Sequence, residues 1–163
     1  KNGSTTDAPD TQTVTFSFES FTAIWEHRKY AGSPQENHRI GAYFYGSEGV
    51  FHMGWRDGWT FYPRQSSQSP VHQEPSFDHE QDGHNLTLLW RDFMDAMDHG
   101  KQPVAGMESS HRSSVLPMLG MISYRLGRSL QWDGSRETIL GDPEALSLMK
   151  RSYRTPWAYP LGA

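Results

Sequence analysis

Val14, Phe16 and Phe18 alternate with Thr13, Thr15 and Ser17, and Phe21, Ala23 and Trp25 alternate with Thr22, Ile24 and Glu26. A period of two puts successive side chains on opposite faces of a strand. With Glu19-Ser20 between them, the two runs predict a hairpin. Residues 30–38 are polar, with Gly32 and Pro34, and read as a loop. Ile40, Ala42 and Phe44 alternate with Gly41, Tyr43 and Tyr45 and predict a third strand, closed by the turn Gly46-Ser47-Glu48-Gly49. Apolar-rich runs at 50–55 and 59–62 flank Asp57-Gly58, a strong short-range hairpin signal. Connections this short join antiparallel neighbours. Residues 63–83 are rich in Ser, Gln, Pro and His without periodicity, which predicts a long loop.

The period then changes. Leu86, Leu89, Trp90, Phe93 and Met97 fall at helical spacing, and Gly100 ends the run. Val115, Leu119, Ile122 and Leu126 form a second stripe ended by Gly127. Pro117 lies inside it, where an interior proline costs ~3 kcal/mol. Either that helix kinks, or its regular part begins near Leu116 with Ser113 or Ser114 as cap. Asp142-Pro143-Glu144 opens a third helix, with Asp as N-cap and Pro in the first turn. Met94, Met97, Met118 and Met121 lie on the stripes and read as core filler. Strands first and helices after predict an α+β fold: a mostly antiparallel open sheet with helices packed on one face, in a single domain spanning 1–163.

Composition narrows the function. The 163 residues suit one domain. Only 35% are hydrophobic, but 13% are aromatic, and large rings bury much area each. A net charge of −4 with no basic block argues against a nucleic-acid partner. The absence of cysteine excludes disulfides, zinc–thiolate sites and thiol catalysis. No apolar run reaches the ~18–20 residues of a membrane span, so no membrane partner is expected. No signal peptide is visible. The chain starts at Lys1 in a polar stretch and reads as a fragment or processed product. A soluble protein fits these bounds, which leave the choice between cytoplasm and periplasm open.

Candidate chemistry is sparse. There is no Gly-x-Gly-x-x-Gly after a strand, no phosphate loop and no Gly-x-Ser-x-Gly elbow. Eight histidines invite a metal reading, most densely at Asp78, His79, Glu80, Asp82 and His84. Their spacing fits no ligand motif, so that cluster reads as a solvated loop and no metal site is expected. In Trp25-Glu26-His27-Arg28 the alternation puts Trp25 and His27 on one face, Glu26 and Arg28 on the other. A histidine beside an aromatic suits sugar hydroxyls or the orienting of a carboxylate; an edge ion pair with a buried Trp is the plainer alternative. Arg151, Tyr153, Arg154, Pro156 and Trp157 form a basic-aromatic tail, expected to dock onto the sheet more than to bind an anion. Trp55, Trp59 and Tyr62 suggest an aromatic platform, hence an alternative reading as a stand-alone carbohydrate-binding module without catalysis. A purely structural oligomerisation domain is the third.

One family unites these pieces. His84-Asn85-Leu86 through Phe93-Met94-Asp95-Ala96, Pro103, His111-Arg112-Ser113, Leu119-Gly120-Met121-Ile122 and Tyr124-Arg125-Leu126-Gly127-Arg128 follow in its order. So do Trp132-Asp133, Gly141-Asp142-Pro143-Glu144-Ala145 and Tyr153-Arg154-Thr155-Pro156-Trp157. Together they resemble the carboxy-terminal domain of the glucose–fructose oxidoreductase, inositol dehydrogenase and MocA group (Gfo/Idh/MocA), in the bacterial branch found in planctomycetes and relatives. The resemblance implies an amino-terminal Rossmann domain upstream, NAD or NADP as cofactor of the parent enzyme, and a sugar or polyol substrate. It also implies a sheet with one face toward nicotinamide and substrate and the other toward a second subunit of a homo-oligomer. The family's Glu-Lys-Pro motif and catalytic helix lie upstream of the matched segment. No catalytic or cofactor-binding residue is therefore carried onto this chain, and the fragment itself is expected to be inactive. His27, Arg28 and Tyr30, with Trp157, are the expected substrate contacts.

Overall fold

A computed structural model describes residues 8–29, 38, 40–76 and 82–158. The alternating runs form strands β1 (Thr11–Ser17), β2 (Thr22–Arg28), β3 (Gly41–Tyr45), β4 (Gly49–Gly54) and β5 (Trp59–Pro63). A short β6 (Val71–Gln73) follows, then α1 (Asp82–His99) and α2 (Met107–Leu126). β7 (Gln131–Asp133), β8 (Thr138–Leu140) and α3 (Pro143–Ser147) complete the order. The class is α+β, with the strands divided among three antiparallel sheets, β1-β2, β3-β4-β5-β6 and β7-β8. The segment expected as one loop over 63–83 contains β6, whose three residues are all exposed and carry no apolar alternation.

The contacts fall into two compact units: residues 10–12 with 26–105, and residues 13–25 with 106 onward. In the second, Leu119, Ile139 and Ala145 are buried, and Val115, Ile122, Leu126, Leu130, Trp132 and Met149 pack around them. Helix α2 approaches β1 closely: a Cβ on Gly120 would stand 3.1 Å from the Val14 side chain. The Pro117 question resolves as one helix from Met107 rather than a late start. Ser113 and Ser114 are not caps. Their hydroxyls donate to the Ser109 and Ser110 carbonyls, each at 2.8 Å. Gly127 ends the helix in a left-handed conformation (φ 65°), with its N–H and that of Arg128 returning to the last turn.

Arg128 then clamps the entry to α3. Its Nε and Nη2 donate to Asp142 at 2.8 and 2.9 Å, and Nη2 also reaches Glu144 at 2.6 Å. Asp142 is the N-cap, as the sequence predicts, accepting from Ala145 N–H at 3.0 Å. The Arg128 guanidinium, then the Ala145 amide, hold the Asp142 carboxyl down at about 2. The two carboxylates in turn hold Arg128 well above the usual range. Between β7 and β8, Asp133 accepts from the Ser135 hydroxyl and from the Ser135 and Arg136 amides, which lowers its pKa and shapes the turn.

Several expectations of burial do not hold. Met94, Met97 and Met118 are 49%, 57% and 65% exposed, so they are not core filler. The α1 stripe lies open at Leu86, Leu89, Trp90 and Phe93. The tail from Arg151 to Trp157 is exposed throughout rather than docked.

Candidate functional site

The register of β3 to β6 aligns Tyr43, His52, Thr60 and His72 in one row across four strands. Side chains directly opposite in antiparallel strands share a face. This row therefore lies on one face, with Tyr45, Val50 and Tyr62 as the next row. Ala42, Met53 and Trp59, and Phe44, Phe51, Phe61 and Val71, occupy the other. The sheet has one polar and one apolar side.

The polar row is closely connected. Thr60 Oγ1 and His72 Nδ1 are 2.9 Å apart, and His72 Nε2 lies 3.4 Å from Glu74. The Tyr43 and His52 rings are 4.5 Å apart. His52 is only 1% exposed, the largest fully buried side chain among the described residues. His38 stacks on it at 3.8 Å, and His38 Nδ1 meets Asp57 Oδ2 at 2.6 Å. Two glycines make room. A Cβ on Gly41 would stand 2.7 Å from His52 Nε2, and one on Gly54 would collide with the Asp57 carboxylate. Gly41 and Gly54 are themselves cross-strand partners. Asp57 sits in the Asp-Gly turn, which closes with Gly54 N–H donating to Gly58 carbonyl at 2.9 Å.

On the apolar side, Phe51 touches Phe44 and Trp59, with ring centroids 6.0 and 5.5 Å apart. Phe44, Met53 and Val71 remain about half exposed. An open hollow of about 300 Å³ lies at the β3–β4 turn, lined by Phe44, Phe51 and Phe61. A second, about 260 Å³, lies beside α1 between Leu89, Trp90, Phe93 and the segment at Pro103 and Ala105. That segment is held by Val104 N–H donating to Asp92 at 2.8 Å.

Of the residues expected at a substrate pocket, His27 and Arg28 are neighbours on β2. His27 is half-buried, and Arg28 pairs with Glu26 at 2.9 Å on the other face. Trp25, expected to be buried, is 53% exposed. Trp157 is 67% exposed and belongs to the other compact unit. Tyr30 lies outside the described residues, as do the side chains of Asp78, His79, Glu80, Asp82 and His84. The aromatic platform is not formed: Trp59 and Tyr62 point to opposite faces, and Trp55 lies beyond the end of β4. His38, His52 and Asp57 were not anticipated as a group. The sequence signals are the alternation that puts His52 level with Tyr43 and the Asp57-Gly58 turn; neither points to His38.

The described residues form an α+β arrangement with antiparallel sheets. Residues 68–159 match the family model described as the C-terminal alpha/beta domain of the oxidoreductase family, GFO_IDH_MocA_C2. The chain belongs to the Gfo/Idh/MocA oxidoreductases and carries their C-terminal domain. No curated protein and no solved structure matches it significantly. Domains of this family are normally paired with an amino-terminal Rossmann domain. The NAD(P) implied by the family needs a glycine-rich strand-to-helix turn within parallel strands. The strand pairs among the described residues are antiparallel and the chain has no such motif, so these residues do not fit the nucleotide's phosphates. No helix among the described residues is long and apolar enough to cross a membrane.

Proposed function

We propose that the chain, as one domain over 1–163, forms the substrate-side wall and subunit-contact surface of a bacterial NAD(P)-dependent sugar or polyol oxidoreductase. The observation that carries this reading is the match of residues 68–159 to the C-terminal domain of that family. Nucleotide and acid–base groups belong to the paired Rossmann domain. The two-sided sheet supports the division of labour: hydroxyl- and imidazole-bearing rows suit a polyhydroxylated ligand, and the half-exposed apolar face suits a second subunit. The open stripe of α1 fits a domain that works against a further surface. His27, Arg28 and Tyr30, with Trp157, are the proposed substrate contacts.

The test is a fusion of a Rossmann domain of the family upstream of this chain, assayed for NAD(P)+-dependent oxidation of a sugar and polyol panel. Arg28→Ala is expected to raise KM about tenfold with kcat largely kept, the pattern of lost uniform binding. An unchanged KM removes Arg28 from the pocket, and no turnover with any polyol removes the substrate class. Light scattering of the chain alone is expected to show a dimer or tetramer that Phe44→Glu dissociates.

A further inference from the structure

We propose that His38, His52 and Asp57 bind a divalent transition-metal ion of the Zn²⁺ type, with one coordination position left for water or a ligand oxygen. The inference is independent of the proposed oxidoreductase role. One donor atom from each residue lies within 4.8 Å of the others. Two imidazoles and a carboxylate are a donor set that suits Zn²⁺, Co²⁺ or Fe²⁺ rather than Ca²⁺ or Mg²⁺. Three protein ligands with an open fourth position are the arrangement of reactive rather than closed structural zinc sites.

The three donors differ in freedom, and that difference favours capture of an ion. His52 is fixed: it is 1% exposed and held in the sheet between Tyr43 and Thr60 by register. His38 is about one-quarter exposed and Asp57 about half, on the approach to β3 and in the β4–β5 turn. Ligand atoms on one tetrahedral ion stand roughly 3.3 Å apart, from metal–ligand distances of about 2.0–2.1 Å. The 2.6 Å His38–Asp57 contact therefore opens slightly and His38 turns out of its stack on His52. Both movements fall on the two members that are not buried. Gly41 and Gly54 keep the space clear of Cβ atoms on both sides of the cluster. The ion would tie His38 and β4 to the β4–β5 turn, so binding would stabilise the sheet by linkage.

The test titrates the full chain with Zn²⁺ by calorimetry and with Co²⁺ by visible absorption, and follows thermal unfolding with and without Zn²⁺. The expected result is saturable micromolar binding of one ion per chain, with a raised unfolding midpoint. Asp57→Asn and His38→Gln, at an exposed and a partly exposed position, are each expected to weaken binding by about tenfold or more while leaving circular dichroism unchanged. His111→Gln, on the separate His111–Glu137 pair, is expected to have no effect. Absence of saturable Zn²⁺ and Co²⁺ binding overturns the proposal. So does binding that survives both cluster variants, or that His111→Gln abolishes.

Discussion

The two compact units close themselves in different ways. In the unit built on α2, apolar side chains meet one another: Leu119, Ile139 and Ala145 are buried, and helix ends and turns find polar partners within the unit. In the sheet unit the largest buried side chain is a histidine, while Phe44, Met53, Trp90 and Phe93 stay open. Isolated exposed apolar residues are ordinary, but a sheet face and a helix stripe together are surfaces made to be covered. Both units leave apolar side chains open, Met118 and Trp157 in the first and Phe44 and Trp90 in the second; they differ in that the first has an apolar centre and the second has a histidine as its largest buried side chain. Under the proposed function, the polar sheet face would meet substrate and the apolar face a second subunit.

The largest expected effect lies in the apolar centre of the α2 unit. Ile139 is 3% exposed, and Ile139→Ala is expected to cost about 2–5 kcal/mol in denaturant unfolding. A loss under about 1 kcal/mol would mean the α2 unit is not held by this core. In the sheet unit, Gly41→Ala forces a Cβ against His52 Nε2 and the Met53 carbonyl, at 2.7 and 2.9 Å. A smaller loss of about 1–3 kcal/mol is expected, because backbone as well as side chain must shift. A neutral result would show that the polar row is loosely packed.

The third effect is smaller and depends on pH. The folded-state pKa of Asp142 is depressed from 3.8 to about 2, so its contribution to stability is full above the unfolded value and is lost as pH falls through about 2. Arg128→Met removes the main cause of that depression. Wild type and variant melting temperatures are expected to differ near neutral pH and to converge as pH drops from about 4 toward 2. A difference that persists unchanged at the acid end would mean the clamp acts through packing of the arginine stem instead.

Much of this architecture is legible in the residues. Alternation marks the strands at 40–45, 50–55 and 59–62, Asp57-Gly58 marks their turn, and Asp142-Pro143 marks the start of α3. Short elements escape. β6, β7 and β8 have three residues each, too few to show a period. Pro117 misdirects the start of α2, because a helix tolerates the lost N–H when the rest of its face is packed. The metal-ligand cluster is invisible for a deeper reason. His38, His52 and Asp57 come from three separate stretches: His52 from β4, His38 from ahead of β3 and Asp57 from the β4–β5 turn. The exposed stripes were misread as core because a periodic apolar pattern reports that a face will be covered, not whether this chain covers it.

The most direct test of the central claim, that this chain supplies the substrate side of an oxidoreductase cleft and not its nucleotide side, is calorimetric titration of the chain with NAD(H) and NADP(H). No heat of binding is expected at micromolar nucleotide. Micromolar affinity for either cofactor would contradict the claim, because the chain would then hold the cradle assigned to its partner domain.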